Sequence, residues 1–398
     1  MFRREKNMED RVLFSRRNFI KGSAILGSLA VVGGFWRGLD SGVFSTSKGP
    51  AYAAWENSFE GVEGLVDAAI LAANAHNAQP WLFKLGDSSI DIKADTDRNL
   101  GAVDPYSREM YISLGCALEN LTIAAKAKGF SPKITYFPNK QDSWHIATID
   151  LATMAPLPSA LYDAIPKRHM NRGPYDKTRP ISPEIIQTLS YLNTDSSDVK
   201  LSFFNTQQDK LKIGQAMIEA TQALISDKEQ INVDSKWMRK SWQDIQKYKD
   251  GITTDAQGLP TLTRIIAKML PPMSQEQNNE FWLNTLKDKH VGTAAAFGFI
   301  AVPDLTNDLQ VVKAGQLWER LHLWATSKGL GMQIMNQLSE RRDRELSLNL
   351  TPQFGDKLRE ILKTSEWHSI IQFRMGYPTI EALPSPRRPV KDVIDSSI

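Results

Sequence analysis

Apolar residues recur at helical spacing along residues 112–130 and again along 312–330. The two stretches read ISLGCALENLTIAAKAKGF and VKAGQLWERLHLWATSKGL. Aligned 200 positions apart, they match at Gly115/Gly315, Glu119/Glu319, Leu121/Leu321, Ala125/Ala325, Lys128/Lys328 and Gly129/Gly329. Each ends in Lys-Gly, the signature of a long helix closed by a glycine just past its last turn. Two unrelated amphipathic helices are the plain alternative. Six identities in 19 positions, including both glycine pairs, favour duplication of one domain.

Shorter runs predict strands at 81–85 and 90–94, joined as a hairpin through Gly86-Asp87-Ser88-Ser89, and at 133–137 and 145–151. In the second half, 199–204 and 370–375 are predicted strands, and 184–193, 208–226 and 353–363 predicted helices. The proline-bearing stretch 152–166 reads as the link between copies. The pattern predicts an α+β fold, a mostly antiparallel sheet with long core helices, in copies spanning 54–155 and 156–398. Residues 228–290 have no counterpart in the first half. They carry Trp237, Trp242 and Trp282 and read either as a lid or as a surface helical pair.

Composition narrows the class. With 41% hydrophobic and 23% charged residues, the chain can bury a core. Its one cysteine, Cys116, excludes an internal disulfide and a thiolate metal site, and its apolar neighbours suggest an inert packed thiol. Residues 1–53 hold nine Lys and Arg against four Asp and Glu, a net +5, which leaves −2 for the body. A near-neutral body argues against nucleic acid as a partner.

The basic N-terminus resembles a twin-arginine export signal. Arg16-Arg17-Asn18-Phe19-Ile20-Lys21 is followed by a mildly apolar stretch to Trp36, and Ala51-Tyr52-Ala53 offers small residues for a signal peptidase. The resemblance implies the translocation machinery as a partner and a periplasmic location. An uncleaved membrane anchor is the alternative, since 19–36 is 18 residues long; four glycines and two serines in it favour cleavage.

Two clusters carry the candidate chemistry. Ala75-His76-Asn77-Ala78-Gln79-Pro80-Trp81 offers amides for the polar edge of a heterocycle. Lys167-Arg168-His169-Met170-Asn171-Arg172 offers two guanidinium groups four positions apart, suited to a phosphate. Alone, the second could be a solvated basic turn. Gly329-Leu330-Gly331 follows a helix, so a Rossmann reading fails, and no paired-histidine metal spacing occurs; His322 lies within a predicted helix.

In this order, and with Asp104-Pro105, Arg108, Gly329-Leu330-Gly331 and Ser385-Pro386-Arg387-Arg388-Pro389, the clusters resemble the nitroreductase-like family, in its Acg-type branch of two fused copies. The resemblance covers roughly residues 61–392. It implies one FMN per chain, held in a composite site between the copies of a monomeric pseudo-dimer that can dimerise further. Arg168, His169 and Arg172 with Arg387 or Arg388 would hold the phosphate. His76, Asn77 and Gln79 would approach from the other copy, with backbone near Gly331 at the ring. Met170 departs from the family's usual Ser or Thr. No catalytic side chain and no metal is implied, because the flavin carries the redox chemistry. The implied activity is electron transfer from a donor such as NAD(P)H to a small electron-poor acceptor. The alternative is a protein that sequesters flavin beneath a cap.

Overall fold

The computed structural model describes residues 36–56 and 61–395. Arg16-Arg17 and the apolar stretch up to residue 35 lie outside the described residues.

The first half contains α1 (Glu63–Ile70), β1 (Trp81–Leu85), β2 (Ser89–Ala94), α2 (Arg108–Ala127), β3 (Phe130–Tyr136) and β4 (His145–Thr153). All strand pairs are antiparallel, in the order β1-β2-β4-β3. Strand β2 alternates outward Ser89, Asp91 and Lys93 with buried Ile90, Ile92 and Ala94, the period-two pattern of a sheet with one wet face.

The second half contains α3 (Ala160–Ala164), α4 (Pro183–Tyr191), β5 (Lys200–Phe204) and α5 (Gln207–Ser226), then α6 (Lys228–Trp237), β6 (Met238–Arg239), α7 (Trp242–Tyr248), β7 (Ile252–Thr253), α8 (Thr261–Met269) and α9 (Gln275–Thr285). It continues with β8 (Ala296–Val302), α10 (Asp308–Ser327), β9 (Gly331–Ile334), α11 (Gln337–Ser347), α12 (Gln353–Leu362) and β10 (His368–Gly376). Its main sheet is again antiparallel, in the order β5-β8-β10-β9. Numbered within each half, both sheets run first-second-fourth-third, and in both a 20-residue helix joins the second and third strands.

Those two helices, α2 and α10, are the repeated sequences, and they cross at their matched glycines. A β-carbon on Gly115 would collide with the carbonyl oxygen of Val312, and one on Gly315 with that of Ile112. The contacts are reciprocal, because 112 and 312 are themselves equivalent positions. Only glycine lets the two backbones approach this closely. Around the crossing, Leu114, Leu118 and Leu121 pack with Val311, Trp318 and Leu321 in one continuous core.

Local capping fixes the helix ends. The Asp104 carboxylate accepts from the amides of Glu109 (3.1 Å) and Met110 (3.0 Å) at the start of α2, and Asn307 accepts from the Gln310 amide at the start of α10. Gly129 and Gly329 end the helices at φ +88° and +70°. Two strands of the main second sheet were not foreseen, nor was the short pair β6 and β7. In β8 all seven residues are buried, so no alternation marks it. In β9, Gly331 opens a strand where the sequence suggested only a turn. The link 152–166 contains the end of β4 and α3.

Candidate functional site

A pocket holding about 360 Å³ of atom-free space, open to solvent, lies between the halves. Its first wall comes from the loop after α1, through Ala73, Asn74 and Asn77, and from Trp55. Its second comes from the loop after α3, through Arg168, His169, Met170 and Arg172. Ser385 and Arg387 of the C-terminal strap close it. The Asn171 amide donates to the Met332 carbonyl (3.2 Å), which fastens the second wall to β9.

The three arginines differ in what they already hold. Arg168 is buried, with Nε 2.9 Å from Glu319 Oε1 and Nη2 donating to the Leu71 carbonyl at 2.6 Å. Glu319 also accepts from the Ala73 amide at 3.1 Å. Arg168 is thus a strut joining both halves to α10. Arg387 donates to Asn77 Oδ1 at 2.6 Å and to the carbonyls of Pro386, Leu71 and Ala72, while its buried Nε has no hydrogen-bond partner. Its guanidinium lies 4.8 Å from the centre of the Trp55 ring. Among the described residues Arg172 donates only to the Ala256 carbonyl, at 3.3 Å. Neither Arg387 nor Arg172 has a carboxylate partner among the described residues. Burial lowers both pKa values, with the neighbouring arginine adding to the effect: Arg172 falls to about 10 and Arg387 well below its ordinary value.

His169 is buried, edge-on to Trp55 with ring centres 4.5 Å apart, and its Nδ1 has no partner. Burial, then Arg168 and Arg387, push its pKa down to about 3, so the imidazole is neutral near pH 7. The site therefore offers cationic and neutral donor capacity and no competing acid on its open side. An anion fits it.

Five residues singled out from the sequence meet here: Arg168, His169, Arg172, Asn77 and Arg387. Four stand outside the pocket's lining. His76 Nε2 lies 2.5 Å from Asp234 Oδ1 on α6. Gln79 is fully buried as a brace, its Nε2 donating to the Lys249 carbonyl and its Oε1 accepting from the Arg388 amide, both at 2.8 Å. Arg388 turns to Asp95 (3.3 Å) and the Asp392 carbonyl (2.6 Å). Gly331 faces Tyr175, where a β-carbon would lie 2.9 Å from the ring. Met170 lines the pocket, and its sulfur accepts from the Ile334 amide at 3.4 Å, so the position is occupied productively without a hydroxyl.

Sequence reading missed Trp55, Asn74 and Arg374. Fully buried Arg374 donates to the carbonyls of Gly173 (2.6 Å) and Asn171 (3.3 Å), and so holds the turn that presents Arg172. A lone arginine inside the apolar strand HSIIQFRMG was its one available signal. Cys116 is buried, its thiol 3.4 Å from the Gly315 carbonyl and its pKa pushed well up by burial. His322 is a buried residue of α10. Among the described residues no group of His, Cys, Asp or Glu could hold a metal.

No protein-family model matches the chain. It is 34% identical over 133 residues to "Putative NAD(P)H nitroreductase Rv3131" of Mycobacterium tuberculosis, a match covering 32% of this chain and 38% of that protein. It is 33% identical over 91 residues to "Putative NAD(P)H nitroreductase acg" of the same organism, covering 23% of this chain and 28% of that one. The matches therefore span less than half the length of these relatives. The solved FMN-dependent nitroreductase NfnB of Mycobacterium smegmatis, in complex with NADPH, overlaps 60% of this chain and 98% of its own at 12% identity and a TM-score of 0.39. By sequence, the chain is similar to curated nitroreductase-like proteins.

Proposed function

We propose that this chain is an FMN-binding oxidoreductase of the nitroreductase-like family, built from two fused copies of one domain and exported by the twin-arginine route. The observation that carries the reading is the pocket between the two halves, where Arg172 and Arg387 stand without a carboxylate among the described residues. The local similarity to NAD(P)H nitroreductases supports it, as do the matched strand orders of the two sheets. For export, the support is the Arg16-Arg17 motif in the sequence.

The residues present fit the phosphate end of FMN. The unpartnered Nε of Arg387 and Nδ1 of His169 are the kind of buried polar atoms that a phosphate oxygen would satisfy. Arg172 supplies a further charge-assisted contact. When bound, the flavin supplies hydride and electron transfer. The chain's contribution is to hold the cofactor; before an anion binds, burial and the neighbouring arginines keep His169 neutral near pH 7. The expected traffic is from a nicotinamide donor to a small electron-poor acceptor.

The test is an absorbance spectrum of the full chain, matured with its cytoplasmic folding step intact, followed by anaerobic addition of NADH and NADPH. One flavin per chain that bleaches is the expected result. Protein purified without flavin, and unable to take it up, overturns the reading. A flavin that stays oxidised points to sequestration, with the insertion as the cap. The insertion reaches the wall through the Ala256 carbonyl on Arg172 and lines none of the pocket itself.

A further inference from the structure

The first described residues do not behave as a segment awaiting removal. The peptide bond after Ala53 lies inside a 3₁₀ helix, Pro50–Trp55, with Ala51 0% and Tyr52 4% exposed. The Ala51 amide donates to Gln246 Oε1 (2.9 Å), and its carbonyl accepts from the Arg387 amide (2.7 Å). Two residues on, the Trp55 indole donates to the Ser385 carbonyl (2.8 Å) while its ring lines the pocket. A peptidase reads an extended, accessible backbone. In a protein exported already folded, this bond is offered in a helical turn, with Ala53 exposed but Ala51, Tyr52 and Ala54 buried against its own domain.

The same segment borders an apolar face. On α8, Leu262, Ile266 and Leu270 fall at four-residue intervals and are 70%, 47% and 56% exposed. The opposite face is pinned: Lys268 Nζ lies 2.7 Å from Asp255 Oδ1. Residues 36–44 rest against this helix. Ser41 Oγ donates to the Lys268 carbonyl (2.8 Å), Lys268 Nζ donates to the Gly42 carbonyl (3.3 Å), and a β-carbon on Gly38 would lie 3.2 Å from Met269. Trp36 is 67% exposed here. The 18-residue apolar stretch 19–36, read from the sequence, enters the described chain at this tryptophan, two residues before Gly38, which abuts Met269 of the same helix.

We propose that residues 19–56 stay on the mature chain, that 19–36 tether it to a lipid bilayer, and that the α8 face with Trp36 and Leu39 rests on that bilayer. Length, position and chemistry agree. About 20 apolar residues span a membrane, tryptophan concentrates at the interface, and an apolar helix face lies naturally at the headgroup boundary. The arginines and lysines before residue 22 set the N-terminus on the cytoplasmic side. The pocket, built partly on Trp55, then sits close to the membrane surface.

The test uses the full chain. Its mass is measured after expression and export, and the purified protein is placed in vesicles of phosphatidylethanolamine and phosphatidylglycerol. A diazirine amino acid replaces Ile266, or Gln187 on α4 as an exposed control, and is photolysed. The expected results are a chain retaining residues 19–53 and lipid adducts at position 266 well above those at 187. A mature chain beginning at Ala54 overturns the proposal. So do adducts at 266 with water alone, with residues 19–35 of the same chain, or with a second copy.

Discussion

Arg168 and Arg172 sit four residues apart on one loop, yet the structure gives them different physical roles. Arg168 faces the fully buried Glu319, so Arg168→Gln strands an uncompensated carboxylate and is expected to cost about 3–5 kcal/mol of stability, read by denaturant unfolding. Arg172 holds a single long bond to a carbonyl. Arg172→Gln should leave the unfolding midpoint nearly unchanged and weaken FMN binding by about tenfold to a hundredfold, the worth of one charge-assisted hydrogen bond, read by flavin fluorescence titration. The reverse assignment of the two effects would contradict the pocket geometry. The basic loop and the arginine strap were legible because like charges and turn residues cluster in sequence. Which arginine was already spoken for was not, because Glu319 lies 151 positions away in sequence from Arg168. Trp55 escaped notice for a similar reason: its partner Ser385 is 330 positions distant.

Helix α2 carries a titration of its own. Glu109 is buried beside Asp104 and accepts from Asn336 Nδ2 at 2.6 Å. Burial, then the Asp104 charge, hold its pKa well above 4.5. A carboxyl raised in the native state keeps its proton after the unfolded chain has lost its own. Its stabilising contribution is therefore full below pH 4.5 and is lost as pH rises through the native value. Glu109→Gln retains the acceptor for Asn336 and removes the ionisation. The melting temperature of this variant should decline less than wild type between pH 5 and pH 8, and should exceed it at pH 8. The α2–α10 crossing makes a second demand. Gly115→Ala would drive a methyl into the Val312 carbonyl and is expected to cost about 1–3 kcal/mol, whereas Gly329→Ala meets no atom within 4 Å and pays only the strain of φ +70°. Chemical denaturation of both variants separates close approach from backbone conformation. This crossing was the most legible part of the fold, because its constraint is written twice, 200 residues apart. The strands with alternating or β-branched runs were also foreseen, to within a few residues. Strand β8 was not, since a strand buried on both faces has no period to read, and α11 buries Arg341, Arg342, Asp343 and Arg344 where the sequence suggests a solvated surface.

At the scale of the molecule, the insertion joins parts that the duplicated domains alone would leave separate. Its turn at Lys249-Asp250-Gly251 grips the loop after α1: the Lys249 carbonyl accepts from Gln79, and the Gly251 amide donates to the Asn77 carbonyl (3.1 Å). Asp250 is 3% exposed and accepts from Arg98 of the first half (2.8 Å) and from Arg239 of the insertion itself (2.9 and 2.7 Å). On the other side, Gly258 packs so tightly against Arg172 and Gly173 that a β-carbon there would collide with their backbone. One excursion thus braces both walls of the pocket while lining none of it. Asp250→Ala removes the acceptor shared by two arginines and is expected to cost about 1.5–3 kcal/mol, because half-buried Arg239 loses its carboxylate and Arg98 is left with Asp95 alone. The loss should concentrate in the insertion and the loop it holds. Amide hydrogen exchange should rise in 237–253 and 74–79, with β8 and β10 protected as in the wild type. Uniform loss of protection across both sheets would show instead that the insertion is part of the global folding unit. A local rise confined to the clasp and the Asn77 wall would identify it as a brace that can loosen while both cores stay folded, and so as the element that sets how firmly Asn77 and Arg387 are presented to a bound anion.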